Sequence, residues 1–497
     1  MQNRVGLASP FLIAILLIGT ISSSVNFASA SIGSSPAGIT DSGSANSTVP
    51  SLPLLQAPPK MPAMPDILKS QAIPALHNTQ NTVGPLVTIT AAQSGDWNDG
   101  TTWVGGIVPG VSDNIIIPSG INVTVTTEVN STGTITNSGT ITVANSGSDS
   151  IGIHSPDSGS TITNNSGGQI IVENTGINSD GIVSYGTLAN YGTITITNSG
   201  TNSYGIQNSG TLINSGTITI SNSGYIGILN IGPISNSGTI TITLNTIDSA
   251  YGIVNYITGT ITNNSGGHIT ISNSGSGSQG IYNFVTITNN SGGQITVANS
   301  GLSGITNGDG STLINSGTIT VSNSGPYGIY NQNIFTNNSG GIINSSGTIT
   351  NTGTITNKSG GTITNTGNIT NTGTIANYNT ITNAGTITNN SGGSIINYGT
   401  SSITNSGTLN NNGYIYGAIT NNSGGIINNT STILSYAIIT NSGTINNNSG
   451  GIINNYNTIT NSGNITNSNV INNHCAATIT GHPVNNIGSG KVNNPCP

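Results

Sequence analysis

The carboxylates that a glycan-cleaving site would need are few. Glycoside cleavage uses two Asp or Glu side chains flanking one bond, and Glu173, Asp180, Asp248 and Asp309 are far apart and unpaired in sequence. Asp96, Asp99 and Asp113 form a closer group. Their oxygens suit a hard cation such as calcium, although Asp beside Gly and Asn is also a turn former. Cys475 and Cys496 flank the tail and suit one disulfide in an oxidising compartment; His474 and His482 nearby add a metal reading. Tyr185, Tyr204, Tyr225, Tyr251, Tyr282 and Tyr327 recur about once per repeat. Of these, Tyr204, Tyr225, Tyr251 and Tyr327 are the candidates for stacking on sugar rings, beside the alternative of a purely structural stack. No catalytic, cofactor-binding or metal residue is assigned, and the expected protein is not an enzyme.

Charge excludes further classes. The 497 residues include 5 Lys and Arg and 12 Asp and Glu, so 3% are charged, against roughly 25% in an ordinary soluble protein. Arg4, Lys60, Lys69, Lys358 and Lys491 are scattered. Nucleic acid is therefore not a partner, because phosphate neutralisation needs clustered cations. The apolar fraction is 33% with a mean hydropathy of zero, which does not fit disorder driven by charge.

The elements that must position these residues begin after an address. Residues 1–30 have Arg4, an apolar run from Pro10 to Ile18 and the small-residue pattern Ala28-Ser29-Ala30, the features of a secretory signal. No later segment is apolar enough to span a bilayer as a helix, so no transmembrane span is expected in the mature chain. Residues 31–85 hold half of the 18 prolines and read as an extended linker. Residues 86–130 contain both tryptophans and are expected to cap the repeats on their C-terminal side.

From residue 131 onward the chain repeats itself. Over residues 131–340 a Gly before a Thr/Ile/Val run recurs at 139, 168, 192, 216, 238, 267, 293 and 317. A Gly-Ile pair trails it at 152, 181, 205, 227, 252, 280, 304 and 328. Over residues 341–472 the unit shortens to Gly-Thr-Ile-Thr-Asn-x, with Ile at 349, 355, 363, 369, 375, 381, 387 and 395. Each Thr-Ile-Thr is expected to form a short strand with Ile on one face and both Thr on the other. The following Asn-x-Gly is expected to turn by positive φ. One coil cannot bury its own Ile, but stacked coils can, with turn Asn residues forming amide ladders. The expected fold is all-β, a parallel β-solenoid (single-stranded β-helix) of on the order of fifteen coils at ~4.8 Å each. N- and C-terminal caps close its ends. Residues 473–497, where His474-Cys475-Ala476-Ala477 breaks the step, are the expected C-terminal cap, held by the Cys475–Cys496 bond.

The Asn-Ser-Gly-Thr-Ile-Thr units over roughly 130–472 resemble the repeats of filamentous-haemagglutinin-like and autotransporter-passenger adhesins. Residues 95–120, from Gly95-Asp96-Trp97 through Trp103-Val104-Gly105-Gly106 to Gly120, are similar to the eight-glycine extracellular domain that begins some β-helical cell-surface proteins. The resemblance implies the β-helical architecture; with the signal features of residues 1–30 the expected protein is secreted or at the cell surface, with surface or matrix glycans, or itself, as partners.

Asn46, Asn122, Asn130, Asn164, Asn263, Asn289, Asn337, Asn389, Asn421 and Asn447 occupy Asn-x-Ser/Thr sequons. As turn residues they would be open to glycosylation. The leading reading is an exported, elongated structural protein for adhesion or self-association. Its alternatives are a glycan-binding or glycan-cleaving β-helix and an ice-binding solenoid. Ice binding wants an unbroken Thr face, and Asn368, Ala376, Ile396 and Ser402 interrupt the three that can be drawn.

Overall fold

The computed structural model describes residues 87–494, except 146, 175, 199, 222–223, 245–247 and 274. The signal, the linker, Asn46 and Cys496 lie outside the described residues. Period-two alternation makes the strands. In Thr354–Asn357 (sequence TITN) the burial runs exposed, buried, intermediate, buried. Thr faces out, and Ile and Asn face in. Three strands complete a coil: Thr187–Asn190, Thr193–Asn198 and Thr201–Asn208 are followed by Thr211–Asn214. The fourth lies parallel on the first, with Leu188 against Leu212 and Asn190 against Asn214.

Repetition of this step gives an all-β parallel β-solenoid of about 18 turns with three sheets, the first of 19 strands. Seventeen intervals at ~4.8 Å make the stack roughly 80 Å tall. The core is a column of aliphatic side chains. Ile363, Ile381 and Ile403 stack in register on the second sheet, and all three are buried. Each contributes roughly 1.5–3 kcal/mol. Among the described residues no helix is long and apolar enough to cross a membrane.

The inward asparagines form polarised ladders. On the third sheet the side chain of Asn331 donates to Asn351 at 2.8 Å, Asn351 to Asn371 at 2.9 Å and Asn371 to Asn389 at 2.9 Å. The same amide of Asn351 also donates to the carbonyls of Gly353 and Thr374, at 3.0 and 3.1 Å. A buried amide is stabilising only when its hydrogen bonds are made, and stacking makes them. Each ladder runs one way, so its first member has an acceptor left over. Asn137, Asn208 and Asn365, at the heads of three of the ladders, each have a buried Oδ1 without a partner among the described residues.

One local expectation changes. The Asn-x-Gly turns do not use positive φ: none of Asn351, Gly353, Asn371 and Gly373 has it. Glycine is needed there for close approach, since a Cβ on Gly373 would lie 2.1 Å from the Gly353 carbonyl oxygen. Positive φ occurs instead at the inserted Ser-Gly-Gly corners, as at Gly392 with φ +84°.

Both chain ends contribute rungs. Thr88–Thr90 and Asn114–Ile117 pair in parallel, and Ile89, Ile115 and Ile135 stack. Between those two strands, Trp97 and Trp103 are buried edge to face at 5.1 Å, and Trp103 Nε1 donates to the Trp97 carbonyl at 2.8 Å. Thr478–Gly481, Val484–Asn486 and Lys491–Asn493 pair in register on the preceding coil. They extend the stack rather than folding over it, because Ile479, Val484 and Val492 supply the inward apolar residue. These end rungs raise the count from fifteen to about eighteen.

Candidate binding face

The tyrosines singled out by sequence and the tyrosines that reach solvent are different sets. Tyr204, Tyr225, Tyr251 and Tyr327 are only 2%, 9%, 6% and 8% exposed. Tyr204, Tyr225, Tyr251 and Tyr282 pack in a row at centroid separations of 6.5, 5.7 and 6.2 Å. Desolvation, then the Asp180 carboxylate, pushes the Tyr204 phenol up to about 12. Desolvation likewise raises Asp180 to about 7, against the lowering effect of the Tyr204 N–H that it accepts at 3.0 Å. Ring faces packed in this way are not available to a sugar.

Apart from Tyr191 in a long coil, the exposed tyrosine rings belong to the short coils. Apart from Tyr414–Tyr416, each first-sheet strand there ends on an inward residue, and the next residue turns outward at the corner. That corner position holds Lys358, Tyr378, Tyr398, Tyr436, Tyr456 and His474. Its N–H is fixed by the coil beneath: Tyr378 donates to the Asn357 carbonyl at 2.7 Å, Tyr398 to Asn377 at 2.9 Å and Tyr456 to Ser435 at 2.8 Å. The four tyrosines are between 38% (Tyr456) and 54% (Tyr436) exposed. Tyr378 and Tyr398 stack at 4.6 Å and 10°, Tyr436 and Tyr456 at 4.3 Å and 15°, and Tyr456 and His474 at 3.8 Å and 6°.

Beside this column, Tyr414 and Tyr416 project from the strand Tyr414–Tyr416, while Ile396, Leu434 and Ile452 are half-buried and Ile438 is exposed. The Tyr414 phenol is raised by desolvation first, then by the neighbouring Tyr416 and Tyr436. An apolar, aromatic patch thus interrupts an exterior otherwise made largely of Thr, Ser and Asn. Its signal in the sequence is spacing: Tyr378, Tyr398, Tyr416, Tyr436 and Tyr456 recur every 18 to 20 residues, which is the length of three short units.

The remaining candidates fall elsewhere. Asp96 accepts from the Asn98 N–H at 2.8 Å, Asp99 from Thr101 at 2.9 Å and Asp113 from Gly110 at 2.8 Å, all as turn formers. Glu173 is exposed on the second sheet, Asp180 begins a third-sheet strand, and Asp248 and Asp309 are exposed outside the strands. Among the described residues no three His, Cys, Asp or Glu side chains come together. Cys475 is exposed.

The sequons divide sharply. Asn122 and Asn130 are exposed. Asn164, Asn263, Asn289, Asn337, Asn389, Asn421 and Asn447 are fully buried. Each donates its side-chain amide to the ladder asparagine of the next coil, at 2.7 to 2.9 Å. They are inward strand residues, not turn residues, so the folded coil has no room for a glycan at them.

No family model matches the chain, and no curated protein matches it. Among solved structures it is similar to the TibC-catalysed, hyper-glycosylated TibA fragment 55–350, at 17% identity and a TM-score of 0.19. The match covers 82% of this chain and 93% of that one.

Proposed function

We propose that the protein is an exported, non-catalytic scaffold at a cell surface or in an extracellular matrix, adhering or self-associating through the side of its solenoid. The exposed tyrosine face carries this reading, because a contiguous apolar patch on a polar exterior marks an interaction site. Export rests on the signal features of residues 1–30. A Cys475–Cys496 bond would fasten the tail to the last coil, and residues 95–106 with their buried tryptophans would close the first. Among the described residues, Asn122 and Asn130, together with the further sequons Asn368 and Asn464, are exposed and would be open to a glycosylating host.

The test is attachment of beads coated with the full chain to cells, across a range of salt. With 3% charged residues, attachment should persist at high ionic strength, where charge contacts are screened. Attachment abolished by salt would overturn the reading.

A further inference from the structure

The column of corner tyrosines has one missing rung. Strands of the first and second sheets are joined by Tyr398-Gly399-Thr400-Ser401 in one coil and by Tyr436-Ala437-Ile438 two coils later. In the coil between them, Tyr414–Tyr416 and Ala418–Asn421 are joined by Gly417 alone. The register is otherwise continuous, with Ile396 against Tyr416 and Tyr416 against Leu434. Gly417 has φ +101°, and a Cβ there would lie 2.6 Å from the Asn397 carbonyl oxygen, so no side chain can refill the rung. Its N–H donates forward to the Leu434 carbonyl at 2.9 Å, tying the coil directly to the next one.

The result is a gap in the column, a notch between Tyr398 and Tyr436 bordered by the Tyr416 ring of the intervening coil. Tyr398 has Tyr378 on one face, and the next rung on its other side lacks a corner ring because Gly417 stands there. Tyr436 has Tyr456 on one face and meets Tyr416 on the other only obliquely, at 6.0 Å and 43°. Two rungs separate Tyr398 from Tyr436 by about 9.5 Å. A flat ring between them would use about 7–8 Å in its two van der Waals contacts and be loose. A puckered pyranose is thicker by about the difference, and its axial C–H groups suit the negative faces of phenol rings. Exposed Thr400 offers a hydroxyl at the rim. The charged residues nearest in sequence are Lys358 and Lys491, so nothing in the notch selects an anion.

We propose that the notch between Tyr398 and Tyr436 binds a neutral hexopyranose unit of a polysaccharide. This deepens the adhesive reading by naming its ligand class, and rests on it only in using the same face. Calorimetric titration of the full chain with cellohexaose, laminarihexaose and mannohexaose should give saturable binding to at least one. Tyr398→Ala should weaken that binding about tenfold, the scale of one lost stacking contact, and Tyr398→Phe should preserve it. A variant with Gly417 replaced by the five residues 397–401 of the preceding coil restores the ring and the amide rung together. It should fold at least as stably yet lose the sugar.

Absence of saturable binding by any of the three sugars would overturn the proposal. So would binding that survives the filled notch, or tighter binding of naphthol, a flat ring. Bead attachment separates the two readings. Loss of the sugar with attachment intact supports the notch and places adhesion elsewhere on the solenoid. Wild-type beads that attach while the protein binds none of the sugars would sink the notch and leave the adhesive reading standing.

Discussion

The long-repeat and short-repeat halves use the same coil to opposite ends. In a long coil the second-sheet strand Thr193–Asn198 turns two isoleucines inward, Ile194 and Ile196, and Tyr204 on the next strand is buried. In a short coil the second-sheet strand Thr380–Asn383 has one, Ile381, and the coil places Tyr378 in solvent. Extra residues per turn thus thicken the core and absorb the aromatics. Their removal leaves a minimal core and puts the aromatics outside. Adhesion, on this view, belongs to the half with least chain to spare.

Losing the single isoleucine of a short strand should have the largest effect. Ile381→Asn removes the strand's whole apolar contribution and buries an extra amide. It should destabilise the stack by up to ~5 kcal/mol in denaturant unfolding, while Thr380→Ser stays near zero. Ile196→Asn should cost less, because Ile194 remains. Equal losses at Ile381 and Ile196 would break the contrast between the halves.

The aromatics test the same contrast from the other side. Tyr251→Ala should cost about 3 kcal/mol, on the scale of buried aromatic truncation. Tyr456→Ala, which loses only exposed stacking, should cost ~1 kcal/mol or less. Thermal unfolding of the two variants decides the matter, and similar shifts would mean that the exposed column is structural after all.

Much of this is legible in the sequence. The fixed phase of Ile in the Thr-Ile-Thr units implies strands, an inward face and stacking, and Ile381 is where that phase places it. The same alternation also fixes the asparagines. If Ile381 faces in, the second residue after it, Asn383, must face in too, so the ladder and the closure of the buried sequons follow from the strand period. Turn propensity points Asn the other way, and here the period wins. The tyrosine face is harder to find because its residues meet only across coils. The missing rung at Gly417 is a deletion visible only once the coils are stacked.

The half-buried carboxylate of the long half gives a pH prediction. Asp180 is held near 7 when folded, against an ordinary 3.8, so the folded state keeps the proton that the unfolded state releases first. Stability is therefore full below pH ~4 and falls as pH rises through about 7, by on the order of 4 kcal/mol. Asp180→Asn should remove this slope and stabilise the chain at pH 8, with little change at pH 3. The short half has no carboxylate between Asp309 and Lys491 and should show no such slope. Hydrogen exchange read separately in each half checks both statements; a pH-independent long half would show that Asp180 is not the group responsible.

The smallest expected effect is the most local. Tyr225 lies in the buried row, stacked edge to face on Tyr251 at 5.7 Å, and its hydroxyl is buried without a hydrogen-bond partner among the described residues. A hydroxyl taken from water and left unpaired costs about 1–3 kcal/mol, whereas the ring itself repays its burial. Phenylalanine keeps the ring and removes the oxygen. Tyr225→Phe should therefore stabilise the long half by about 1 kcal/mol, seen as a higher unfolding midpoint with an unchanged denaturant slope. The paired change Tyr436→Phe, where the phenol is exposed, should be neutral. If Tyr225→Phe is also neutral or destabilising, the hydroxyl has a partner in the folded protein, and the long half's aromatic row is a polar network rather than an apolar second core.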